Sequence, residues 1–198
     1  VPSQRMPRPG VRASTSMPPM TFRIADSSDA TALAALAEET FRDTYEGESD
    51  PANLEAFVGD TFGEAHQRAE LLDPNTLTIV GEIDGRLQCY AQLQLTASPP
   101  PEVDPTAVRL WRFYVRAPHH GRGVAQALMQ EVTGAAQRAG TRVVWLGVWA
   151  DNARAIAFYR KCGFIDVGTH DCHLGTEMQH DRVMILRLDA AGHVPPRR

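Results

Sequence analysis

The chain is short of cysteine, of surplus positive charge and of long apolar runs. Cys89, Cys162 and Cys172 are its three cysteines in 198 residues. Their number is odd and no CxxC spacing occurs, which excludes a disulfide framework and a zinc ribbon and suits a reducing cytoplasm. Acidic residues outnumber basic ones, 24 to 20, for a net charge of −4, so nothing draws the chain to nucleic acid or to an anionic membrane. No segment approaches the roughly 20 apolar residues that a membrane span requires. Residues 1–19 are rich in Pro, Ser and Arg and hold no apolar run fit for a signal sequence. They read as a disordered extension ahead of one folded unit over 20–189, with 190–198 a flexible tail. No solenoid period is present, and the length suffices for a single domain with a substantial core.

Two nucleotide-binding signatures are also missing. A P-loop needs Gly, four residues, Gly, Lys and then Ser or Thr; a dinucleotide fingerprint needs three glycines opening a βαβ unit with an acid about 20 residues on. Neither pattern occurs. What does occur is LWRFYVRAPHHGRGVAQALM, Leu110 to Met129. An apolar strand, Leu110 to Val115, runs into a turn with Pro118, His120, Gly121, Arg122 and Gly123. A helix follows, with apolar residues at Val124, Leu128 and Val132. A helix begins with unpaired N–H groups and a partial positive charge, so glycines that allow close backbone approach make this turn a phosphate cradle.

A second strand–turn–helix lies downstream in WLGVWADNARAIAFYRKCGF, Trp145 to Phe164. The apolar run Val143 to Trp149 leads to Asp151 and Asn152 at a helix start, and Gly163 takes the position after the helix end. Asn152 and Tyr159 are seven residues apart, so they share a helix face about 10 Å apart along the axis.

The first segment resembles motif A of the GCN5-related N-acetyltransferase (GNAT) superfamily, which has Gln or Arg, two residues, Gly, one residue, then Gly or Ala. Here those positions are His120, Gly123 and Ala125. The second resembles motif B. The resemblance runs from Met20 to about Leu188, and the ending GTHDCHLGTEMQHDRVM together with Thr40 to Phe62 is similar to the PaiA-like bacterial polyamine N-acetyltransferases.

The family implies an α/β fold with a mixed, mostly antiparallel sheet of about seven strands. Helices lie on both faces, and two central parallel strands splay at the cofactor site. It implies acetyl-CoA as co-substrate and no metal, with a small-molecule amine as the acceptor, a polyamine-like cation above all. Acetylation of a protein N-terminus or lysine, or non-catalytic sensing of acetyl-CoA, is the alternative. A homodimer is compatible with the family. The motif A turn, His120, Gly121, Arg122, Gly123, Val124, Ala125 and Gln126, would hold the pyrophosphate. Backbone groups of Phe113, Tyr114 and Val115 would bind pantetheine, with Asn152 beside them. Tyr159, in FYRKCGF, would protonate the departing thiolate. A phenol with an ordinary pKa near 10 is a proton donor at neutral pH.

Acceptor binding falls to Glu46 and Glu48, in a run of acids with Asp43, Asp50 and Glu55, and to His173 near the end of the cleft. His120 departs from the family's Gln or Arg and carries charge only near or below pH 6.5 unless perturbed, so cofactor binding is expected to be weaker or pH-dependent. The general base has no candidate. Where relatives carry a Glu five residues before the Asn, this chain has Gly147, and the motif A strand offers Arg109, Trp111 and Arg112 instead of an acid. The cluster His170, Asp171, Cys172 and His173 has no second ligand pair at metal spacing.

The remaining elements follow from periodicity and turn signals. Thr21 to Ile24 reads as a strand, and a helix capped by Ser27 or Ser28 carries Leu33, Leu36 and Phe41. Pro51 opens a second helix, Ala65 to Leu72 is a third, and Thr76 to Ile83 and Arg86 to Leu95 form a hairpin about Asp84-Gly85. A Pro-rich loop, Ser98 to Pro105, enters motif A. Ile165 to Thr169 and Arg182 to Leu188 end the sheet.

Overall fold

The computed structural model describes residues 19–45, 51–174 and 177–188, with 172–174, 177 and 179 described by backbone alone. The expected extension and tail fall almost wholly outside these residues, as do Glu46, Glu48 and Asp50. Seven strands form one sheet in the order β1 (Thr21–Ile24), β2 (Thr76–Ile83), β3 (Arg86–Gln94), β4 (Val108–Val115), β5 (Val143–Trp149), β7 (Glu177–Arg187) and β6 (Ile165–Leu174). Every neighbouring pair is antiparallel except β4 and β5. Five helices complete the described fold: α1 (Ala30–Tyr45), α2 (Pro51–Phe62), α3 (Glu64–Leu72), α4 (Val124–Arg138) and α5 (Ala153–Lys161). No described helix is long and apolar enough to cross a membrane.

The helices divide between the two faces. Leu128, Met129, Val132, Ala135 and Ala136 make one buried stripe of α4 and pack with Ile156 and Tyr159 of α5 on Ile79, Ala91, Leu110, Val144 and Leu146. On the other face Leu33, Leu36 and Phe41 of α1 and Leu54, Val58 and Phe62 of α2 cover Val80 and Tyr90. Phe41 is central there, with ring centroids 4.5 Å from Tyr45, 5.0 Å from Phe57 and 5.1 Å from Phe62. Val103 and Ala107, from the Pro-rich connection into β4, cluster with Trp145, Val183 and Ile185.

Several local details differ from expectation. The cap before α1 is Asp26, not Ser27 or Ser28. Asp26 accepts from Ser28 N–H while Asp29 accepts from Asp26 N–H, so a carboxylate box closes a 3-10 turn ahead of the helix. The last hairpin is longer than periodicity suggested, because β6 and β7 pair from Ile165↔Ile185 to Leu174↔Glu177. Its outer half, rich in His and Asp, lacks the apolar alternation that marks a half-buried strand.

The most consequential difference lies in β4. Gln92 pairs with Arg112 and Leu93 with Leu110, so Trp111 has no partner on β3. This bulge inverts the facing of everything after it. Leu110 and Phe113, three apart, therefore both belong to the α4/α5 side, whereas Tyr114 packs on the α1 side. Arg112 is turned inward by the same shift. It is 6 % exposed, bonds Glu70 of α3 at 2.6 Å and Gln92 at 2.7 Å, and lies over Trp111 and Phe62. The guanidinium that stands where some relatives have an acid is a buried tie between sheet and α3.

Candidate active site

β4 and β5 pair only at Val108↔Val144 and Arg109↔Trp145. Beyond those residues the two strands diverge. Arg116 N–H donates to Gln88 O at 3.0 Å; by the alternation of strand backbone groups, Tyr114 turns its own toward β3, and Phe113 and Val115 turn theirs toward the gap. A cavity of about 560 Å³ occupies the gap, lined by Phe113, Tyr114, Val115, Gly121, Gly123, Gln126, Phe158 and Tyr159 among others.

The turn at one end is held open by backbone conformation. Gly121 has φ +72° and Gly123 φ +85°, the left-handed region that a Cβ disfavours by roughly 1–2 kcal/mol. Gly123 is also the residue ahead of α4, and among the described residues no side chain caps that helix end. Its first N–H groups thus point into the turn with the positive end of the helix dipole.

His120 lines the cavity with both ring nitrogens engaged. Its Nε2 is 2.7 Å from Val115 O, which can only accept, and its Nδ1 is 3.2 Å from Arg154 Nη1, which can only donate. In this arrangement Nε2–H donates to the Val115 carbonyl and Nδ1 accepts from Arg154. Arg154, exposed on α5 and lining the same cavity, brings a guanidinium to the turn.

Tyr159 stands at the other end, packed edge-on to Phe113, Phe158 and Phe164 at centroid distances of 6.2, 5.5 and 5.5 Å. Burial first, and the neighbouring Tyr114 second, push its phenol well above the ordinary tyrosine range, so it holds its proton at any physiological pH. Burial also pushes Cys89 up to about 12 and Cys162 up to about 11. Both are thiols at neutral pH, and neither can act as a thiolate nucleophile.

An open parallel pair, a helix start turned on the gap and a buried phenol together describe a site for an extended ligand with an anionic end. Residues 31–164 match the model of the Acetyltransferase (GNAT) family. The chain belongs to that family. An uncharacterized N-acetyltransferase of Mycobacterium tuberculosis is 35% identical over 161 residues, which is 81% of this chain and 99% of the relative. Among solved structures, the PaiA N-acetyltransferase of Thermoplasma acidophilum in complex with coenzyme A superposes with a TM-score of 0.71 at 18% identity, covering 85% of this chain and 99% of that one. The ribosomal-protein-S18-alanine N-acetyltransferase of Escherichia coli gives a TM-score of 0.60 at 18% identity, covering 85% and 93%. At such identities the structures share the fold with this acetyltransferase.

Of the residues named from sequence, the cavity of this GNAT acyltransferase gathers Phe113, Tyr114, Val115, His120, Gly121, Gly123, Ala125, Gln126 and Tyr159. Arg122, Val124 and Asn152 flank it without lining it. Asn152 caps α5, its Oδ1 accepting from Ala155 N–H at 3.0 Å. Glu46 and Glu48 lie outside the described residues, and of His173 only the backbone is described, paired with Met178. Glu55 is not directed to a ligand, since both its oxygens bond Arg42 of α1.

Arg154 and the α1 residues Thr40 and Thr44 also line the cavity, and nothing in the sequence reading singled them out. Arg154, two positions after Asn152, had a signal in its place beside motif B. Asp43 lines the cavity too, and its sole signal was membership in an acidic run.

Proposed function

We propose that this acetyltransferase moves the acetyl group of acetyl-CoA directly to a primary amine, and that the amine is a small polyamine-like cation. The observation that carries the reading is the continuous cavity that joins the glycine turn, Tyr159 and the α1 carboxylate Asp43. Pyrophosphate at the turn would meet the N–H groups of α4 and the Arg154 guanidinium. Pantetheine in the gap would extend the sheet through the backbone of Phe113 and Val115, and the same N–H groups would polarise the acetyl carbonyl. The amine attacks from the α1 side, and Tyr159 protonates the sulfur as it leaves. Two described cysteines that stay protonated suit direct transfer over a covalent enzyme intermediate, and free thiols suit a reducing cytoplasm.

Thiol release by the purified full chain tests the reading. Spermidine is expected to give a higher kcat/KM than an uncharged primary amine or an alanyl peptide, with its KM rising as salt screens the acceptor side. A preference for the alanyl peptide would identify an N-terminal acetyltransferase. Acetyl-CoA binding without turnover of any amine would identify a sensor.

A further inference from the structure

We propose that Asp181 of β7 is the general base of the transfer, taking a proton from the acceptor nitrogen on the α1 side of the β4/β5 gap. The assignment rests on the acetyl-transfer reading above. It fills the role for which neither motif strand offers an acid.

Register places the carboxylate. Asp181 pairs directly with Trp149 of β5 and His170 of β6, and directly paired residues project from the same face. Gly147 is two residues from Trp149 and shares that face. A Cβ at Gly147 would stand 2.9 Å from Asp181 Oδ2. The Asp181 side chain therefore leans across β5, toward the gap, into the volume that a side chain at position 147 would need. A carboxylate supplied by the neighbouring strand occupies the place of one supplied by β5 itself.

The surroundings suit an ammonium group. The Trp149 ring lies 6.0 Å from Tyr45 at the end of α1, so the face is the one α1 covers. Aromatic rings beside a carboxylate attract a cation while excluding water, and exclusion of water disfavours the charged amine. Tyr114 stands between base and acid: burial pushes its phenol up to about 12 with the Asp181 charge adding to the rise, and Tyr114 in turn raises Tyr159. Among the described residues, Tyr114 of β4 couples to the Asp181 charge, His170 of β6 pairs with it, and Tyr45 of α1 packs on its neighbour Trp149. Asp181 itself does not line the cavity, whose wall on this side is Tyr114, with Asp43 of α1 on the same cavity, and Glu55 of α2 is engaged by Arg42.

The protons balance. The ammonium gives one proton to Asp181 as the nitrogen lone pair forms the C–N bond to the thioester carbon. The C–S bond then breaks, and the thiolate takes a proton from Tyr159. The second proton lost by the nitrogen restores Tyr159, and Asp181 releases its proton to water, one per turnover.

The pH dependence of kcat/KM for spermidine, in the full chain and its Asp181→Asn variant, tests the assignment. The variant is expected to lose about 10²- to 10⁴-fold at pH 7. Its residual rate should climb about tenfold per pH unit as free amine accumulates, with acetyl-CoA affinity within about twofold of the parent by calorimetry. Asp181→Ser is read in the same way if the Asn variant does not fold. Gly147→Glu in an Asp181→Ala background should recover at least about tenfold over Asp181→Ala alone, because the carboxylate returns from β5 into vacated space. Loss of activity with an unshifted pH profile, or full activity in Asp181→Asn while the parent turns over, overturns the base assignment alone. A parent that binds acetyl-CoA and acetylates no amine overturns it together with the transfer reading.

Discussion

Replacing Gly123 by Ala and by Asp separates backbone strain from charge at the expected phosphate site. Gly123 has φ +85° and an added Cβ meets nothing within 4 Å, so neither variant clashes, and each carries a left-handed penalty of up to about 1–2 kcal/mol, smaller for Asp than for Ala. The carboxylate alone distinguishes them. At the start of α4 it satisfies the helix dipole, so the Asp variant is expected to be at least as stable as the Ala variant. A phosphate about 5 Å from that carboxylate would be repelled by about 2–3 kcal/mol at an effective dielectric of roughly 20 to 40, or roughly 30- to 150-fold in affinity. Calorimetric titration with acetyl-CoA, beside thermal melting of each variant, reads the two effects. Equal affinity in Gly123→Ala and Gly123→Asp would refute the placement of the pyrophosphate at this turn.

Two further predictions concern the scaffold. Glu70→Ala leaves the buried Arg112 guanidinium without its carboxylate and is expected to cost about 3–5 kcal/mol; urea unfolding that shifts by less than about 1 kcal/mol would show that the pair is inert. The Asp29 carboxylate is held below the usual range, chiefly by its hydrogen bonds from Arg23. The folded state thus binds that proton less tightly than the unfolded state, so Asp29 contributes fully above the unfolded pKa near 4 and progressively less as pH falls through the folded value. Asp29→Asn should melt lower than the parent at pH 7 and approach it as pH falls from the unfolded pKa through the lower folded one; a constant gap as pH falls would contradict the linkage.

Elements built on local signals were legible in the sequence. Val143–Trp149 is an unbroken apolar run, Asn152 and Gly163 delimit α5, and Asp84-Gly85 takes positive φ at both turn positions. What escaped depends on partners far apart in sequence. The bulge at Trp111 exists only against β3, and it decides that Arg112 is buried and that Tyr114 faces α1. Arg154 meets His120 across 34 residues, and Gly147 and Asp181 meet across a strand pair, so no spacing rule could join them. The glycine turn and Tyr159 come from two local strand–turn–helix units, whereas Thr40, Asp43 and Thr44 reach the same cavity from α1, far away in sequence, which explains why the former were the more legible.

The phenol of Tyr159 is the reacting group on which the proposed mechanism depends, and kcat of Tyr159→Phe under conditions where chemistry limits turnover tests it most directly. The ring sits among Phe113, Phe158 and Phe164, so loss of the hydroxyl leaves its packing in place. The expected result is a kcat lower by about 10²- to 10⁴-fold, with acetyl-CoA affinity nearly unchanged. A variant that keeps most of its kcat would make Tyr159 a packing residue and contradict the mechanism.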